Sequence, residues 1–307
     1  MCGSLLAMKV VEVVTRMGGV ADARTLIRFT SRRRVRTALR TGVIVRDARG
    51  RFSLPTAVEA FRAANALSGV VTHASAASHY GWEMKHPPKR PTVTVPRNRN
   101  VSPERREGVD VRWRDIPSAD VGRDNVTLPG PTVIDCARTM PFDEALAIAD
   151  SALRHGDVTK AQLLHLASRV STSGRAACLR VAREADGRAA NPFESVLRAI
   201  ALDVPGLNVE PQVVITEGGW VGRPDLVDVE RRIVAEADSF EFHGSRSALR
   251  RDCVRYNALV RRGWLVVRFT WEHVMFDPAY VAACLRDLVA LRPVRRAPRR
   301  RTTQMTA

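Results

Sequence analysis

No apolar run in the 307-residue chain approaches the roughly 20 residues that a membrane-spanning helix needs, and Lys9 and Glu12 interrupt the opening stretch. Membrane insertion and secretion are therefore not expected. The five cysteines (Cys2, Cys136, Cys178, Cys253, Cys284) show no paired spacing, which argues against a disulfide framework and a zinc site. A reducing cytoplasm is the expected compartment. Acid is scarce at both ends of the chain. Residues 1–70 carry 13 Lys/Arg against 4 Asp/Glu, and the stretch from 292 onward carries 6 Arg and no acid. Residues 191–291, by contrast, carry 12 basic against 14 acidic residues, so the net charge of +17 sits mainly outside that region. A balance of this kind predicts a polyanionic partner, and DNA is favoured over an anionic membrane because no amphipathic or lipidation signal accompanies it.

What is present is concentrated in two stretches. The first runs PDLVDVERRIVAEADSFEFH, from Pro224 to His243. Two short apolar runs, Leu226 to Val229 and Ile233 to Ala237, flank Glu230-Arg231-Arg232, the pattern of a β-hairpin. A two-residue turn at Glu230-Arg231 places Asp225 opposite Glu236, with Asp238 two residues further along the same face. Facing residues on antiparallel strands have Cβ atoms about 4.5–5.5 Å apart, where like charges repel. A raised carboxyl pKa offsets that repulsion, and a hard divalent cation offsets it more directly. Mg²⁺ or Mn²⁺ held by Asp225 and Glu236 suits phosphodiester hydrolysis. Asp228 and Glu230, nearer the turn, are expected to be surface charges.

Pro224-Asp225, ten intervening residues and then Glu236-x-Asp238 resemble the PD-(D/E)xK nuclease core. Asn191-Pro192-Phe193-Glu194, Pro211-Gln212, the hairpin, His243, Arg250-Arg251-Asp252 and Gly263-Trp264-Leu265-Val266-Val267-Arg268-Phe269 extend the likeness to proteins related to the very-short-patch-repair endonuclease. The resemblance covers about residues 190–291 and implies a restriction-endonuclease-like mixed sheet with flanking helices. Where that core has a water-activating lysine, this chain has Asp238. His243 is the candidate general acid or base in its place, or it ends the strand before Gly244. Arg250, Arg251 or Arg255 on the next helix would steady a phosphate. Glu194 either assists the metal or closes a capping box with Asn191, and the two roles are compatible.

The second stretch is residues 4–54. Leu5, Leu6, Val10, Val13 and Val14 recur at helical spacing, a second helix is expected from Ala21 to Phe29, and a third from Ser31, its N-cap, to about Thr41. Val43–Arg46 and Arg51–Leu54 form a small hairpin. Three helices and a hairpin give a winged helix-turn-helix, in which the third helix enters the major groove and the wing meets the backbone. Its outward residues, Arg32, Arg33, Arg34, Arg36 and Arg40, together with Arg49 and Arg51 of the wing, are the candidate DNA contacts. Gly18-Gly19-Val20-Ala21, this helix start, Thr72-His73-Ala74-Ser75-Ala76-Ala77, Thr92–Pro96 and Thr132–Arg138 together resemble the abortive-infection AbiEi-type antitoxins. That resemblance implies a DNA-binding regulator, working beside a nucleotidyltransferase-type toxin.

His73, Ser75, His79 and His86 lack a positioned carboxylate or an oxyanion loop, so structural roles are expected for them. The organisation read from the chain is multidomain α+β or α/β. It comprises a winged helix at 1–69, an α+β middle region with a linker helix at 70–187, the nuclease-like domain at 188–291 and a basic, disordered tail at 292–307. In that last domain Leu249, Cys253, Tyr256 and Val260 read as the buried stripe of a helix, and Trp264 to Phe269 as a buried strand. Two functions remain open: a metal-dependent DNA endonuclease, and a non-catalytic regulator that keeps the nuclease fold as a scaffold for binding or self-association.

Overall fold

The computed structural model describes residues 9–17, 19–171, 173–217, 220–238 and 246–293. His243 and nearly all of the basic tail lie outside these. The chain is an α+β protein with mixed sheets, and it divides into two compact units between Gly187 and Arg188.

The first unit opens with α1 (Val10–Arg16), β1 (Val20–Asp22), α2 (Ala23–Phe29), α3 (Arg32–Arg40), β2 (Val45–Ala48) and β3 (Arg51–Ser53). The helix expected from Ala21 begins at Ala23 instead. Asp22 is extended and caps α2 by accepting from the Thr25 N–H at 2.8 Å, which leaves Val20–Asp22 free to pair with β3. The resulting sheet has the order β1-β3-β2. Ser31 caps α3 through the Arg34 N–H, and Gly42 turns the chain afterwards at φ +71°. Val13, Val14, Leu26, Val35, Ile44 and Phe52 form the core beneath.

The unit continues through α4 (Glu59–Leu67), β4 (Val70–Val71), α5 (His73–His79), β5 (Thr92–Val95), α6 (Pro103–Arg106), β6 (Asp110–Trp113), α7 (Pro129–Thr139), α8 (Phe142–His155), α9 (Lys160–Ser168) and α10 (Arg175–Glu184). β5 is central, antiparallel to β4 and parallel to β6. The helix expected as a linker is α10, and it is no linker: Cys178, Val181 and Ala182 are buried, so it belongs to the body of the unit. His73, at the start of α5, is buried and pushed down to about 4, by burial first and by Arg112 and Arg114 next. A neutral imidazole bonded to the Thr72 hydroxyl at 2.8 Å is a structural arrangement.

The second unit comprises α11 (Pro192–Leu202), β7 (Glu210–Pro211), β8 (Ile215–Glu217), β9 (Trp220–Gly222), β10 (Leu226–Asp228), β11 (Ile233–Asp238), α12 (Arg246–Arg261), β12 (Leu265–Thr270), α13 (Trp271–Phe276) and α14 (Pro278–Leu291). Its principal sheet runs β12-β11-β10-β7, parallel between β11 and β12 and antiparallel elsewhere. Alternation along the strands assigns the two faces. Leu226 and Ala235 pack with Leu197, Phe269, Val281 and Leu285 on one side, while Val227 and Val234 pack with Leu259 and Trp264 on the other.

Three expectations about this unit are corrected. Asp228 is fully buried, not a surface charge, because it accepts from the backbone N–H groups of Asn208 and Arg231 (2.9 Å each) and from the Arg231 guanidinium. Of the stripe expected on α12, Cys253 and Val260 are exposed, Tyr256 is half-buried and the Leu249 side chain lies outside the described residues, while Leu259 is buried instead. β12 lies at the sheet edge, and of its residues Phe269 alone is buried.

Candidate functional site

The pairing Leu226↔Ala235 and Val227↔Val234 carries the register by which Asp225 faces Glu236. Both carboxyls lie on the α12 side of the sheet, in line with Val227 and Val234. The two carboxyls lie within hydrogen-bonding reach of each other, so a proton on either is shared. Asp225 Oδ2 also accepts from the Ala237 N–H at 2.9 Å. Gln212 Nε2 donates to Asp225 Oδ1 (3.2 Å) and to Glu194 Oε2 (2.9 Å), so three carboxyls are joined in one chain. Gln212 holds φ at +56°, a backbone region that non-glycine residues rarely occupy, and its N–H donates to the Asp225 carbonyl at 2.9 Å. Glu194 accepts further from the Ala190 N–H and from the Asn191 side chain, while Asn191 Oδ1 caps α11 through the Glu194 N–H at 3.0 Å. The capping role and the approach to Asp225 therefore coexist.

Burial, and then the Asp225 carboxyl, push Glu236 up to about 8; burial likewise raises Asp225 above the usual carboxylate range. Near neutral pH the pair holds a proton between the two groups, which is how the expected repulsion is relieved. Arg255 on α12 adds a cation, with Nη1 at 3.0 Å from Glu236 Oε1 and Nη2 donating to the Tyr256 hydroxyl at 2.8 Å. Asp238 does not complete a three-carboxylate patch. It is paired with Arg268 at 2.5 Å, and among the described residues no group of three His, Cys, Asp or Glu side chains is placed to hold a metal. The Arg268 and Arg255 guanidiniums lie 4.2 and 4.7 Å from the Tyr256 ring, which links the two ion pairs.

No lysine follows Lys160 anywhere in the sequence, so the cation absent at Asp238 is not supplied by another lysine of this unit. Arg255 is the guanidinium bound directly to the carboxyl pair. Arg250 and Arg251, on the same helix, are exposed. Sequence periodicity missed Tyr256 and Arg268 as members of the site. Gln212 was marked only as half of a Pro-Gln dipeptide.

In the first unit, Arg32, Arg33, Arg34, Arg36 and Arg40 are all exposed on α3, whose inward residues are Val35 and Ala38. Arg49 is exposed at the β2–β3 turn, and Arg51 is half-buried on β3. The five arginines expected to point outward on α3 are thus exposed, as is Arg49 of the hairpin, while Arg51 is partly covered.

No family model matches the chain. Two relatives from Mycobacterium tuberculosis, the uncharacterized protein MT2308 of strain CDC 1551 / Oshkosh and the uncharacterized protein Rv2248 of strain ATCC 25618 / H37Rv, are each 31% identical to it over 160 residues. The match takes in 51% of this chain and 59% of theirs, so the chain spans about three-fifths of the relatives' length. The crystal structure of the RV2827C protein from Mycobacterium tuberculosis overlaps 61% of this chain and 78% of its own, with a TM-score of 0.35 and 16% identity. Among the described residues no helix is long and apolar enough to cross a membrane.

Proposed function

We propose that the chain is a cytoplasmic DNA-binding protein that hydrolyses DNA phosphodiesters in its second unit, with Mg²⁺ or Mn²⁺ held by Asp225 and Glu236. The observation that carries this reading is the buried, hydrogen-bonded carboxyl pair on facing strands, bridged by Gln212 to Glu194. These donors fit such a cation: Mg²⁺ is commonly held by one or two carboxylates, with waters and substrate phosphates completing its shell. When bound, it would supply an ionised water and neutralise charge on the phosphate. The chain's own residues do the rest. Gln212 and the Ala237 amide fix the Asp225 carboxyl, and Arg255 provides the positive charge that Asp238 does not. The first unit, read as a winged helix, delivers the protein to DNA through α3 and the β2–β3 wing. His243 retains its candidate acid or base role, outside the described residues.

Incubating the protein with supercoiled plasmid and Mg²⁺ or Mn²⁺ tests the reading, with nicking as the expected result. Tight binding with no cleavage across metals and DNA forms would overturn it. The second reading would then stand: a regulator of the AbiEi antitoxin type, with a toxin partner or self-association. The ion pairs Arg255–Glu236 and Arg268–Asp238 favour that alternative, because they balance the carboxylates without any metal.

DNA binding has its own signature. Arg33→Ala is expected to weaken duplex binding across sequences and to lower the slope of log affinity against log salt by about 0.9, the value for one phosphate contact. An unchanged slope would remove α3 from the interface.

A further inference from the structure

A pocket of about 310 Å³ opens beside the β1–β3–β2 sheet, lined by Asp22, Arg51, Asn65, Ser68, Val70 and Arg123 among others. Its acids are already engaged. Asp22 accepts from the backbone and hydroxyl of Thr25, and Asp124, on its rim, lies 2.7 Å from His79 Nε2. Its cations are not: among the described residues, neither the Arg51 nor the Arg123 guanidinium has an ion-pair or hydrogen-bond partner. Two guanidiniums lining one concavity offer the planar donor forks that phosphoryl oxygens accept.

The walls are held in place. Asn125 Nδ2 donates to the Gly69 carbonyl at 2.6 Å and the Val71 N–H donates to the Asn125 carbonyl at 3.0 Å, which pins the loop bearing Arg123 to the α4–β4 corner. Ser68, at φ +54°, and Asn125, at φ +65°, both sit in the left-handed region, so two lining residues are kept in conformations that only their surroundings maintain. The floor is tied to the wing, because buried Asn65 donates to Asp47 Oδ2 at 2.8 Å and to the Phe52 carbonyl at 3.0 Å.

We propose that this pocket binds a small phosphorylated molecule, with Arg51 and Arg123 clamping its phosphoryl oxygens. The volume is that of a small-ligand site, and a concavity lined by Asn65, Ser68 and Val70 differs from the convex face that a DNA backbone meets. Arg51 belongs to the wing. On the reading that the wing contacts DNA, occupancy withdraws one of its cations and weakens DNA binding, whereas the binding claim itself stands without that reading.

The test is titration calorimetry on the full chain without DNA, with inorganic pyrophosphate and with adenosine monophosphate as probes. Saturable binding of at least one probe is expected, weakened about tenfold or more by Arg123→Ala and unchanged by Arg33→Ala on α3. Arg123 is exposed, so its replacement leaves the fold intact. Equal binding by the Arg123→Ala protein, or no saturable binding of either probe at about millimolar concentration, overturns the proposal. So does an Arg123→Ala protein that loses duplex affinity and one unit of salt slope while still binding pyrophosphate as before, because Arg123 would then be a DNA-backbone contact.

Discussion

Asp225→Asn and Glu236→Gln are each expected to reduce plasmid nicking by about 10² or more at equal DNA occupancy, the scale attached to removing one well-placed electrostatic group from an active site. Neither substitution should disturb the fold. The wild-type pair already carries a proton between its two groups near neutral pH, so an amide replaces a group that is half neutralised. Asn at 225 keeps an oxygen for the Ala237 N–H. The check is to measure nicking alongside duplex affinity and melting temperature. A variant that folds, binds and still nicks at the wild-type rate would remove its carboxylate from the chemistry.

A second large effect follows from the same proton. Because Glu236 is raised to about 8, metal binding below that pH must expel a proton. Mn²⁺ affinity should therefore climb by up to about tenfold per pH unit up to about pH 8 and level off above it, as followed by metal-induced thermal stabilisation. Without metal the sign reverses. The folded-state value lies above the ordinary 4.5, so this group's contribution to stability is complete below about pH 4.5 and is lost as the pH rises through about 8. Glu236→Gln should flatten that slope. A metal affinity independent of pH between 6 and 8 would show that the buried pair is not the metal's seat.

The parts of this arrangement that could be read in advance are those governed by strict alternation. The side-chain period of two, with a hairpin at Glu230–Arg231, was enough to place Asp225 across from Glu236, and the alternating strands bear that register out. α3 was equally legible, since Ser31 is a strong cap and Val35 marks its inward side. α12 was not. Hydrophobic periodicity finds a helix face only when the surface opposite is apolar, and here that surface is part apolar, at Val227 and Val234, and part carboxyl, at Asp225 and Glu236. Among the described side chains of α12, Asp252, Arg255 and Tyr256 are partly buried and Leu259 is fully buried. Asp228 misled for a related reason: a charge beside a turn is usually solvated, but here backbone amides from Asn208 and Arg231 converge on it. The loss of Asp238 from the metal patch depended on Arg268, a residue three-dimensionally adjacent through the parallel β11–β12 pairing and thirty positions away in the chain.

The polar underside of α12 also bears on how this unit can change over generations. Arg255 both anchors the helix to the sheet and balances Glu236, so one side chain answers to stability and to chemistry at once. Replacing both partners of a buried ion pair with well-packed apolar residues is often neutral or stabilising, whereas an apolar exchange at position 255 alone would leave Glu236 without its cation and loosen α12. A lineage can therefore give up Arg255 without loss of stability only by giving up Glu236 with it, and the carboxyl pair goes in the same step.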